Sequence, residues 1–116
     1  MIRVLIADDQ LVVRSGFRLF LRDAEDIEVV GEARSGVEAV RKARELAADV
    51  VLMDIRMPGG DGITATCRLA GPDVTDPVAV IIVTTFDLDE YIVRHEALLF
   101  RMEVRDLDCF VVVAAG

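Results

Sequence analysis

Two adjacent aspartates, Asp8 and Asp9, close the first apolar run of the chain, IRVLIA. A third, Asp54, closes the run DVVLMD, and Thr84 and Thr85 follow the run 78–83. Carboxylates gathered in a half-buried pocket repel one another and raise each other's pKa unless a cation neutralises them. A few carboxylates completed by water suit magnesium, which prefers octahedral oxygen ligation and keeps part of its hydration shell. A carboxylate beside such an ion can attack a phosphoryl group, because the metal offsets the repulsion between two anions and orients the transferring oxygens. Asp54 is the candidate nucleophile, Asp8 and Asp9 are candidate ion ligands, and Thr84 is a candidate hydroxyl donor to the phosphoryl oxygens. Asp and Thr are also common turn formers at strand ends. Here an acid pair, a single acid and a threonine each end a separate apolar run, and that coincidence favours chemistry.

The runs that carry these residues are short and β-rich, and longer amphipathic stretches separate them. This alternation predicts an α/β fold with a buried parallel sheet. Residues 2–7 read as the first strand, followed by a helix with Val13, Phe17, Phe20 or Leu21, and Ala24 at helical spacing. Residues 27–30 read as a second strand broken by Gly31. Ser35 with Glu38 three residues later forms a capping-box pattern, opening a helix expected to bury Val37, Val40, Ala43 and Ala47. Residues 49–54 read as a third strand, apolar on both faces. The turn-rich MPGGDG leads into a short helix that Asp61 can cap, carrying Ile63, Cys67 and Ala70. Residues 78–83 read as the fourth strand, a helix is expected from Asp87 or Asp89 through Tyr91 and Ile92, and 109–115 read as the last strand. Ends of parallel strands share one edge, where open α/β sheets bind ligands. The spacing therefore predicts convergence of the aspartates.

Composition narrows the alternatives. With 116 residues, 53% hydrophobic and 29% charged, a single folded domain is expected over residues 1–116. A net charge of −8 disfavours nucleic-acid or membrane-surface binding and favours cations or basic partners. No apolar stretch approaches the ~20 residues of a membrane span, and the N-terminus lacks the pattern of a secretory signal, so a cytoplasmic home is expected. Cys67 and Cys109 lack metal-ligand or CxxC spacing and read as reduced structural residues.

Residues 2 to about 93 resemble the receiver domain of two-component response regulators, of the LuxR/NarL-type subclass. The text that carries the resemblance is IRVLIADDQ, DVVLMDIRMPGGDGI and VIIVTTFDLDEY. The resemblance implies a flavodoxin-like, doubly wound sheet of five parallel strands in order 2-1-3-4-5. It implies phosphorylation of Asp54 by a sensor histidine kinase, with Mg2+ held directly by Asp9, through water by Asp8, by Asp54 and by the backbone carbonyl of Arg56. It makes Thr84 the switch hydroxyl and Thr85 the small residue beside the phosphoryl group. Met57–Pro58 matches the family's turn after the acceptor, and Gly62 its loop. The function implied is a switch controlling a transcriptional output domain, not a metabolic enzyme.

The resemblance fails after about residue 93. The family's lysine, whose ammonium contacts the phosphoryl group, is not matched: the single lysine is Lys42, and by offset from Thr84 the lysine position falls near Asp106. Arg101 or Arg105 is a candidate surrogate, although a planar guanidinium differs from a compact ammonium. Residues 94–116 leave no room for the family's last helix or for a DNA-binding domain, so DNA contact is expected only through an output domain outside this chain. An uncovered sheet face predicts self-association, a homodimer. His95 reads as a surface residue. The missing lysine supports an alternative, a pseudo-receiver acting through protein contacts without phosphorylation. A magnesium-dependent phosphohydrolase would need an acid where Arg56 stands, and nucleotide binding lacks both GxGxxG and GxxxxGK.

Overall fold

The structure, a computed structural model, describes residues 1–54, 57, 62–71, 74–84 and 111–115. In chain order these form β1 (Ile2–Ala7), α1 (Leu11–Leu21), β2 (Ile27–Ala33), α2 (Gly36–Glu45), β3 (Val50–Met53), α3 (Gly62–Ala70), β4 (Ala79–Thr84) and β5 (Val111–Ala115). The strands make one parallel sheet in the order β2-β1-β3-β4-β5, as expected. The step from β1 to β2 runs one way across the sheet, and the steps from β2 to β3 and β3 to β4 run the other way. Right-handed crossovers then place α1 on one face and α2 with α3 on the opposite face. The order reverses between β1 and β3, opening a crevice beyond their carboxyl ends.

The core lies mainly under α2 and α3. Leu5, Val51 and Val80 stand side by side across β1, β3 and β4, as do Ala7, Met53 and Ile82, and all six are buried. Ala39, Ala43, Ala65 and Leu69 close over them. Arg3 ties the far end of the sheet to the end of α2: its Nη2 donates to the Leu46 carbonyl at 2.8 Å. Cys67 is a half-buried thiol packed against this core. No helix among the described residues is long and apolar enough to cross a membrane.

Local details correct the sequence reading. Gly31 does not break β2. The strand continues to Ala33, with a register shift opposite Val4 and Leu5, and a Cβ at Gly31 would come within 2.7 Å of the Leu46 side chain. The glycine thus admits a close approach of α2 to the strand. In α2 the buried residues are Gly36, Ala39 and Ala43, whereas Val37 is 59% exposed. Small side chains bring the helix near the sheet, so the face is set by size as well as hydropathy. The helix ends at Glu45, and Ala47 lies beyond it with a positive φ of 51°. In α1, Leu21 is half-buried and Phe20 is exposed. The expected helix through Tyr91 and Ile92 lies outside the described residues, as do Asp61, His95, Arg101, Arg105, Asp106 and Cys109.

Candidate phosphoacceptor and metal site

The site is built from backbone bonds that continue the sheet past its last formal pairs. Beyond β1, the Asp8 amide donates to the Ala33 carbonyl of β2 at 3.0 Å; beyond β3, the Asp54 amide donates to the Ala7 carbonyl at 2.9 Å. Asp8 and Asp54 are thereby fixed on adjacent strand tips at the point where the order reverses. One carboxylate oxygen from each of Asp8, Asp9 and Asp54 lies within 4.8 Å of the others. Thr84 closes β4 two residues beyond the Met53–Ile82 pair, on the same edge. Arg56 and Thr85 lie outside the described residues.

Burial grades across the cluster: Asp8 is buried, Asp54 half-buried and Asp9 exposed. Burial pushes the Asp8 carboxyl above its ordinary pKa. The Gln10 amide, donating to Asp8 Oδ1 at 2.9 Å, opposes that shift; neighbouring Asp9 adds to it, and Arg14 opposes it. Three acidic oxygens facing one another, backed by protein on one side and water on the other, suit a hard divalent cation that keeps some of its hydration shell.

The sequence profile described as the response regulator receiver domain matches residues 4–101. The chain belongs to the response regulator receiver family. The response regulator GacA of Pseudomonas viridiflava is 46% identical over 96 residues, covering 81% of this chain and 43% of that protein. The transcriptional regulatory protein LiaR of Bacillus subtilis strain 168 is 47% identical over 90 residues, covering 78% of this chain and 42% of that protein. This receiver chain therefore spans less than half the length of the curated relatives it matches. Among solved structures, the response regulator domain of Thermotoga maritima CheB superposes with a TM-score of 0.73 at 32% identity, covering 99% of this chain and 78% of that one. The isolated receiver domain of RcsB from Salmonella enterica serovar Typhimurium, in the presence of the phosphomimetic BeF3−, gives 0.74 at 25%, with the same coverage.

Sequence reasoning missed part of this receiver's site. Arg14, on α1, is buried; its Nη1 donates to the Asp8 carbonyl and its Nε to Glu32 Oε1, both at 2.8 Å. Arg18 donates to the other Glu32 oxygen. Burial alone would raise the Glu32 pKa, but the hydrogen bonds from Arg18 and Arg14 hold it below the ordinary value. The available signal was the position of Arg14 one residue from Val13 and three from Phe17, near the inward stripe of α1.

Proposed function

We propose that this chain is a phosphorylation-dependent switch in which Asp54 takes a phosphoryl group from a sensor histidine kinase, with Mg2+ held at the acidic cluster, to control a transcriptional output domain. The observation that supports it most strongly is the gathering of Asp8, Asp9 and Asp54 oxygens within 4.8 Å. In the transfer, an ionised Asp54 oxygen attacks phosphorus. The new O–P bond forms as the P–N bond to the donor imidazole breaks, and the departing nitrogen keeps the electron pair. Magnesium, when bound, offsets the repulsion between the two anions and orients the transferring oxygens. Asp8, Asp9, Asp54 and the Arg56 carbonyl are the groups we assign to hold it. Thr84 is assigned to donate its hydroxyl to the new phosphoryl oxygens, biasing a pre-existing equilibrium, with Thr85 leaving room beside it. The chain acts as a switch in the cytoplasm and not as a metabolic enzyme. Self-association into a homodimer and DNA contact through an output domain complete this reading.

One observation favours a second reading, a pseudo-receiver working through protein contacts. Lys42, the single lysine, is engaged elsewhere: its Nζ donates to the Glu32 carbonyl at 2.6 Å and lies 3.0 Å from the Glu38 carboxylate. Incubating the chain with acetyl phosphate and MgCl2 and measuring intact mass separates the two. One added phosphoryl group in the wild type and none in Asp54→Asn is the expected result. No adduct in the wild type would leave the contact-only reading, and rapid multiple release of phosphate would indicate a hydrolase.

A further inference from the structure

We infer that Arg14, clamped by Glu32, is a positioning residue for the cation site, an inference that rests on reading Asp8, Asp9 and Asp54 as a magnesium-assisted phosphoacceptor centre. Asp8, Arg14 and Thr66 are the buried polar side chains among the described residues. A guanidinium is an unfavourable group to bury, and this one is held at two points: Asp8 O and Glu32 Oε1. The carbonyl it grips belongs to the peptide joining Asp8 to Asp9. That peptide is planar, so fixing its oxygen fixes the direction in which the chain leaves Asp8 and the backbone from which Asp9 projects. Asp8 is thus held at three polar points: its amide donates to Ala33, its carboxylate Oδ1 accepts from Gln10 and its carbonyl accepts from Arg14. Glu32 completes the device from β2. It accepts Arg14 and Arg18 on its carboxylate, while Lys42 holds its carbonyl.

Charge and position predict opposite signs for removal of Arg14. A cation beside an acidic site repels Mg2+, so on Coulomb terms alone its loss would tighten binding. Loss of positioning would weaken it. Calorimetric titration of MgCl2 into the chain at fixed ionic strength reads the difference, and thermal unfolding confirms that each variant folds. Arg14→Met is expected to raise the Mg2+ Kd by ~10-fold, the lower end of what partners that orient metal ligands contribute. Glu32→Gln should weaken binding in the same direction. Glu28→Gln removes an equal charge from the same strand, where Glu28 faces Arg3 at 3.6 Å, and should leave Kd unchanged. Wild-type binding with unchanged or tighter Kd in Arg14→Met would overturn the positioning role while leaving the phosphoacceptor reading intact. If Arg14→Met does not unfold cooperatively, a Kd in Glu32→Gln equal to that in Glu28→Gln overturns it. A wild type that takes up no Mg2+ overturns the phosphoacceptor reading itself, and the positioning role falls with it.

Discussion

Asp8 is a carboxylate kept in a place that disfavours its charge. Burial and the nearby Asp9 raise its pKa more than the Gln10 amide and Arg14 lower it. A group whose folded-state pKa lies above its unfolded value favours folding where it is protonated, and that advantage is lost as pH rises through the unfolded and then the folded value. At neutral pH the ionised Asp8 therefore opposes folding of the metal-free protein. Asp8→Asn keeps an oxygen for the Gln10 amide and removes the charge. It is expected to raise the unfolding midpoint by a few degrees at pH 7 in EDTA, with the gain vanishing below about pH 4, where the wild-type carboxyl is protonated. A lower midpoint than the wild type at pH 7 would contradict this account. At this scale the sequence was informative about Asp8, Asp9 and Asp54, because each ends an apolar run. It carried only a weak mark of Arg14, its place near the inward stripe of α1, because that position does not reveal the acceptor on Glu32 that makes burying an arginine tolerable.

Among the elements, α2 shows both what local pattern encodes and where it stops. The Ser35–Glu38 pair was legible because capping is a local bond: the Glu38 amide donates to Ser35 Oγ at 3.1 Å. The Glu38 carboxylate, however, faces Lys42 one turn on, and that hydrogen bond pulls its pKa below the ordinary value. Ser35→Ala removes the acceptor for an otherwise unpaired helix amide and should cost about 1 kcal/mol, read as a lower denaturant midpoint with unchanged slope. An unaltered midpoint would mean that solvent satisfies that amide equally well. The buried face of α2 was harder to read. Hydropathy favours Val37, but the helix turns its own Ala39 and Ala43 toward the sheet, and Gly31 on β2 leaves space for Leu46 at its end, so small residues on both sides let the backbones approach. Closeness between a helix and a strand is a pairwise property, and neither segment displays it alone. The same holds for Gly31, which looks like a strand breaker until Leu46 is seen above it.

For the whole molecule, the α/β class follows from alternation, but the position of the site follows from chirality. Only after right-handed crossovers put α1 opposite α2 and α3 does the crevice fall between β1 and β3, where two strand tips bring their acids together. That local concentration of charge sits within a chain of net charge −8, and the two act on stability differently. General self-repulsion is screened by any salt: the Debye length falls from about 10 Å at 0.1 M to about 3 Å at 1 M, so NaCl should raise the unfolding midpoint gradually over that range, with no half-point set by a binding constant. A bound ion stabilises through RT ln(1 + [L]/Kd), reaching about 2.7 kcal/mol at a hundred times Kd. At ionic strength matched with NaCl, MgCl2 should therefore add a further increase that follows a binding curve. In Asp54→Asn, which loses one of the converging acids, the NaCl response should persist and most of the magnesium increment should disappear. Superimposable NaCl and MgCl2 curves for the wild type would mean that the strand-tip acids respond to bulk ionic strength alone, with no bound cation between them.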